Sequence, residues 1–173
     1  MCEKEVELLV MDVDGVLTDG QIVWIPMPDG SFAEPKAFDV TDGGGIVMCR
    51  KAGIRTAIVS NRQSPAIRHR AEELLIDHVY LGIKDKREAL KDLLGKTGVA
   101  PEHVCYVGDD LVDLGVMARV GFPVAVANAH PEVKSRAAYV TSASGGRGAI
   151  REVVELIVKA QGKWEEILRG FTG

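Results

Sequence analysis

The sequence predicts an α/β fold in three layers, a parallel sheet covered on both faces by helices. Short runs rich in Val and Ile alternate with longer stretches of helical periodicity, the pattern of parallel strands joined by helical crossovers. Each apolar run ends in polar or glycine residues, and open parallel sheets bind ligands outside those carboxyl ends. At 173 residues the chain suits one domain of Rossmann-like type spanning 1–173.

The elements follow in order. The first strand is expected over 6–13, closing in Asp12-Val13-Asp14-Gly15. Pro28-Asp29-Gly30 then separates two β-like segments, 21–25 and 31–38, which predicts a β-hairpin insert near the site. The insert is too short to be a separate cap domain, and its Trp24, Ile25 and Phe32 suit a contact between subunits. A helix is expected over 42–51, weakened at its start by Gly43-Gly44-Gly45. Further strands are expected over 56–60, 78–81, 104–107 and 124–127. Ser64 and Pro65 form a helix start, with serine as cap and proline in the first turn. Helices over 86–94, 111–119 and 148–160 follow from their apolar spacing, the last through Ile150, Val153, Val154, Ile157 and Val158. Residues 164–173 read as a tail that is either mobile or reaches a neighbouring site, where Lys163 and Arg169 suit an anion.

Composition excludes some functions. A formal net charge of −4 argues against non-specific nucleic-acid binding, which needs a basic surface. Cys2, Cys49 and Cys105 show no paired spacing, so a reducing compartment is expected, and Cys105, inside the run Val104-Cys105-Tyr106-Val107, is expected to be a buried thiol. The charged start lacks a signal-peptide core, and no apolar run is long enough to span a membrane. A cytoplasmic enzyme with no membrane or nucleic-acid partner is the expectation. His69, His78, His103 and His130 lack zinc-site spacing, and the glycine triplet lacks the lysine of a P-loop.

The chemistry lies at the strand ends. Asp12 and Asp14 close one apolar strand, and Gly108-Asp109-Asp110 with Asp113 closes another. Alone, Asp-x-Asp-Gly also suits a turn with solvated acids. Several acids at one sheet edge, however, repel one another unless a cation neutralises them. Hard oxygen ligands that leave room for a phosphate favour Mg2+. Ser60 and Lys86 end the set, a hydroxyl donor and a fixed charge suited to phosphoryl oxygens.

Through Asp12-Val13-Asp14-Gly15-Val16, Ser60, Lys86 and Gly108-Asp109-Asp110-Leu111-Val112-Asp113, the chain resembles the haloacid dehalogenase superfamily of phosphatases. Within it, residues 12–20 and Gly145-Gly146-Arg147-Gly148-Ala149-Ile150-Arg151-Glu152 resemble the small capless 3-deoxy-D-manno-octulosonate 8-phosphate phosphatases of lipopolysaccharide biosynthesis. The resemblance implies Asp12 as nucleophile and Asp14 as acid and base. It implies Mg2+ on the Asp12 carboxylate, the Asp14 main-chain carbonyl and Asp109, with Asp110 and Asp113 supporting the metal's waters. Ser60 and Lys86 would hold phosphate. Asp14, Asp39, Val40, Thr41, Asp42, Gly43, Arg62, Arg70, Lys86 and Arg147 would meet the sugar acid, in a homotetramer assembled through the hairpin.

Thr41 and Val47 stand where octulosonate enzymes usually carry arginines. A sialic-acid-type 9-phosphate phosphatase is therefore the alternative, though Arg147 favours the octulosonate reading. A non-catalytic tetramerisation module is opposed by the intact Asp12, Asp14, Ser60, Lys86 and Asp109, and a phosphorylated receiver domain by Asp14 and the hairpin.

Overall fold

The computed structural model describes residues 5–172, so Cys2 lies outside the described residues. The chain begins with β1 (Leu8–Met11), followed by a ribbon of β2 (Ile25–Pro26) and β3 (Phe32–Ala33). Next come α1 (Val40–Lys51), β4 (Arg55–Ser60), α2 (Pro65–Glu73), β5 (His78–Leu81), α3 (Lys86–Thr97) and β6 (Val104–Gly108). It ends with α4 (Leu114–Met117), β7 (Phe122–Ala125), α5 (Pro131–Lys134), β8 (Tyr139–Val140), α6 (Ala149–Ala160) and α7 (Trp164–Thr172). Six strands pair in parallel in the order β5-β4-β1-β6-β7-β8. The chain builds outward from β1 through β4 and β5, then returns past β1 to β6. Ligands of open α/β sheets lie where the order reverses in this way, here beyond Met11, Ser60 and Gly108.

Every residue of β1 and β6 is buried, as both faces of a helix-covered parallel sheet must be. Helix α1 packs on α6, and α3 on α4. The α6 stripe Ala149, Ile150, Val153, Val154, Ile157 and Val158 is buried, as its spacing predicts.

Several boundaries differ from expectation for local reasons. Strand β1 stops at Met11 because the N–H groups of Val16, Leu17 and Thr18 all turn back to the Val13 carbonyl. Helix α1 starts at Val40, ahead of the glycine triplet, because Asp39 accepts from the Thr41 and Asp42 N–H groups. Ser64 occupies the cap position of α2, but its hydroxyl makes no capping bond. The expected helix 111–119 is a 3-10 turn, Leu111–Asp113, followed by the four residues of α4. A reciprocal cap between Asp110 and Asp113 tightens that first turn. Strand β7 ends at Ala125, two residues before the expected limit. Residues 164–172 form a helix with Ile167 buried and the Lys51 ammonium 3.9 Å from the Phe171 ring centroid. Lys163 donates to the Ala52 carbonyl.

The hairpin exists, but each strand has two residues. Asp29 fixes its turn by accepting from the Ser31 N–H. Trp24 and Phe32 meet edge to face at 6.3 Å and are 57% and 64% exposed. Among the described residues, Cys49 and Cys105 are buried free thiols. Burial, with the charge of Asp77, pushes Cys49 to about 12. No described helix is long and apolar enough to cross a membrane.

Candidate active site

Strand β1 delivers Asp12 one step beyond its last ladder residue, with the Asp12 N–H bonded to the Val107 carbonyl at 3.0 Å. One carboxylate oxygen accepts from the Val13 N–H at 2.7 Å and the other lies 2.8 Å from Lys86 Nζ. Lys86, the first residue of α3, is 3% exposed and also donates to Asp113 Oδ1 at 2.8 Å. Burial lowers the proton affinity of Lys86, but Asp12 and Asp113 outweigh it and the net shift is upward. Burial raises Asp12 to about 6 against the pull of Lys86, with Asp113 adding to the rise.

Asp113 is fully buried. Its Oδ1 accepts from Lys86 and from the Tyr106 hydroxyl at 2.6 Å, and its Oδ2 from the Asp109 and Asp110 N–H groups at 3.0 and 3.2 Å. Four donors saturate this carboxylate, so it fixes Lys86 and the loop after β6. Asp110 is exposed and caps the 3-10 turn with its own side chain.

Asp109 is different. Its Oδ1 is buried and has no hydrogen-bond partner among the described residues. Burial pushes it to about 7, and the charges of Asp12, Asp113 and Asp110 add to the shift against Lys86. Oxygens of Asp12, Asp109 and Asp113 come within 4.8 Å of one another. An orphaned buried carboxylate oxygen beside a second acid is a fit for a hard divalent cation. Gly15 permits the approach: at φ +88° it takes a conformation favoured by glycine, and a Cβ there would lie 2.0 Å from Asp109 Oδ2.

Ser60 ends β4 and is 1% exposed. Its hydroxyl oxygen accepts from the Arg62 N–H at 3.2 Å, leaving its proton for a ligand acceptor. Asp14 points elsewhere, to the Lys36 ammonium. Lys36 also pairs with Glu34 at 2.9 Å, and Glu34 with Arg62 at 2.8 Å. Burial opposes the charge on Lys36, but its bonds to Asp14 and Glu34 raise its proton affinity overall. Neither Glu34 nor Lys36 was among the residues expected at the site. The acid, base and aromatic at 34, 36 and 38 share the spacing of one strand face, and that was the available signal.

The other expected contacts divide. Asp39 and Thr41 are joined as the α1 cap, and Val40 is 83% exposed. Asp42 is 1% exposed and accepts from the Gly148 and Arg151 N–H groups at 3.3 and 2.9 Å. Its carboxylate thus caps the start of α6. Gly43 lies against Arg70, whose guanidinium would meet a Cβ at 2.4 Å. Arg70 bonds Glu73 at 2.8 Å and stands 5.9 Å from the Phe38 ring centroid. Arg147 is exposed, 3.5 Å from Asp19. Asn128 was not expected: it donates to the Gly15 carbonyl and accepts from the Gly145 N–H at 2.7 Å, tying three loops together.

The chain is 47% identical over 163 residues to the 3-deoxy-D-manno-octulosonate 8-phosphate phosphatase of Escherichia coli K12, covering 94% of this chain and 85% of that protein. The chain belongs to that phosphatase family. Residues 83–152 also match the haloacid dehalogenase-like hydrolase family. A crystal structure of the Yersinia pestis family member is 46% identical, with 95% of this chain and 86% of that one covered at a TM-score of 0.89. The Moraxella catarrhalis member, solved with magnesium, phosphate and KDO, is 40% identical, with 98% and 95% covered at a TM-score of 0.92. As a member of this family the protein is a phosphoric monoester hydrolase with the superfamily's α/β fold.

Proposed function

We propose that this phosphatase hydrolyses 3-deoxy-D-manno-octulosonate 8-phosphate to the free sugar acid and phosphate through a phosphorylated Asp12. The observation that carries the reading is the pair of Asp12, clamped by Lys86 at 2.8 Å, and Asp109, whose buried Oδ1 lacks a partner among the described residues. Asp12, Asp109 and the Asp14 carbonyl are the ligands for Mg2+, with Asp113 and the adjoining Asp110 supporting the loop behind them. When bound, Mg2+ neutralises negative charge on the phosphoryl oxygens and on the acids around them.

An Asp12 oxygen forms a bond to phosphorus while the ester P–O bond breaks, and the departing sugar oxygen takes a proton from Asp14. Asp14, now a carboxylate, removes a proton from water; the water oxygen bonds phosphorus, the Asp12–phosphorus bond breaks, and phosphate leaves. Lys86 and Ser60 hold the equatorial oxygens through charge and a hydroxyl proton. Arg62, Arg70 and Arg147 supply guanidinium groups for the sugar carboxylate. Oligomerisation through Trp24 and Phe32 as a homotetramer, and a cytoplasmic place in lipopolysaccharide biosynthesis, belong to the same reading.

One observation favours a second substrate. Thr41 turns its hydroxyl to Asp39, so the first position where octulosonate enzymes usually carry arginine presents no cation. A nonulosonate 9-phosphate fits that loss. Phosphate release with Mg2+ from octulosonate 8-phosphate, nonulosonate 9-phosphates and hexose phosphates, with Asp12→Asn as control, tests the reading. Selective octulosonate turnover abolished by the substitution is expected. Preference for a nonulosonate reassigns the substrate, and no turnover by the wild type leaves a non-catalytic module.

A further inference from the structure

The Asp14 carboxylate meets a cation delivered by the insert. Among the described residues, the hydrogen-bond and ion-pair partner of its carboxylate is Lys36, which takes Oδ1. Asp12 has both Lys86 and the Val13 N–H, and Asp113 has four donors. The Lys36 side chain is 1% exposed, although the hairpin leading to it exposes Trp24, Ile25 and Phe32. A buried ammonium is tolerated where carboxylates surround it. Glu34 supplies the second carboxylate at 2.9 Å and is itself held by Arg62 at 2.8 Å. The insert thus reaches into the site through a run of alternating charges that ends at Arg62, two residues past Ser60.

We propose that Lys36 is a positioning residue that holds Asp14 for proton delivery to the leaving oxygen, with Glu34 and Arg62 as its anchor. The proposal rests on the phospho-aspartate reading above. With Oδ1 engaged by Lys36, Oδ2 is left to carry the proton. As the Asp12–phosphorus bond forms and the ester bond breaks, the electron pair goes to the sugar oxygen, which takes that proton. Lys36 neither gives nor receives one. Its effect must therefore scale with how much the leaving group needs an acid. A sugar alkoxide is a poor leaving group and needs the proton, whereas p-nitrophenolate leaves without it.

The test compares kcat/KM for octulosonate 8-phosphate and p-nitrophenyl phosphate, both with Mg2+, because kcat/KM reports the steps through leaving-group departure and excludes the later hydrolysis of the phospho-enzyme. Lys36→Met is expected to lower the sugar-ester value about 10- to 100-fold and the aryl-ester value less than about threefold, part of the contribution of a general acid. Asp14→Asn should show the same selectivity more strongly. An equal loss on both esters, or no loss on either, overturns the proposal and leaves Lys36 as an anchor of the hairpin. Lys36→Gln, read by the same ratio, decides the matter if the methionine variant does not fold. Asp12→Asn must abolish turnover of both esters; if it does not, the phospho-aspartate reading falls independently of the Lys36 result.

Discussion

Lys86 Nζ stands 2.8 Å from both Asp12 and Asp113, and the three residues are 3%, 7% and 0% exposed. One ammonium therefore bridges two buried carboxylates from different strand ends and offsets the charge of only one of them. Removing one member of such a set strands the remaining charges, which typically costs about 3–5 kcal/mol. Lys86→Met should lose stability on that scale in urea denaturation without Mg2+, and phosphatase activity by about a hundredfold or more. Unchanged stability would mean that the Lys86 charge does not stabilise the pair.

In the metal-free protein, Asp12 near 6 and Asp109 near 7 hold protons that a cation must displace. Mg2+ affinity should therefore fall as pH drops from about 8 to about 6, with proton release that grows over the same range. The sign for folding is the reverse. Both groups bind protons more tightly when folded than unfolded, so their contribution to stability is full below the unfolded value near 4 and is lost as pH rises through about 6 to 7. Calorimetry in buffers of different ionisation enthalpy measures the proton release. A pH-independent affinity would contradict this.

Asp42 sits on α1 yet its carboxylate caps α6, accepting from Gly148 and Arg151. Asp42→Ala should cost about 1–3 kcal/mol through the orphaned N–H groups and the lost cap. Because the side chain is buried, KM for the sugar phosphate should stay within about twofold, as for a change that removes no substrate contact. A large rise in KM with unchanged melting would return Asp42 to the substrate contacts.

Trp24 and Phe32 present an edge-to-face aromatic pair on the hairpin, more than half exposed, and exposed apolar patches of this kind mark association surfaces. Sedimentation should find a tetramer for the wild type and smaller species for the double substitution Trp24→Ser, Phe32→Ser. A monomeric wild type would remove the assembly from the proposed function.

The sheet was legible because β1 and β6 are nearly continuous apolar runs and β4 carries Ala57, Ile58 and Val59 at its centre, and burial on both faces demands that composition. The acids were legible for a related reason: Asp12 and Asp109 stand one residue past such runs, where the chain turns. Element ends were less so. The division of 111–119 into a 3-10 turn and a short helix depends on the Asp110 and Asp113 cap, and the α1 start depends on Asp39 rather than on helix propensity.

From the sequence alone came the α/β class, the strand ends that carry acids, and the family to which the Asp12, Ser60, Lys86 and Asp109 motifs belong, because apolar runs and short motifs are local properties of the chain. The three-dimensional fold decided the rest. It sent Asp42 to the start of α6, where it meets Arg151, 109 residues away in the sequence, left Asp109 with an oxygen unpartnered among the described residues, and brought Lys36 from the insert onto Asp14, 22 residues earlier. Which carboxylate meets which cation is settled by packing between segments distant in sequence, and no local pattern encodes that distance.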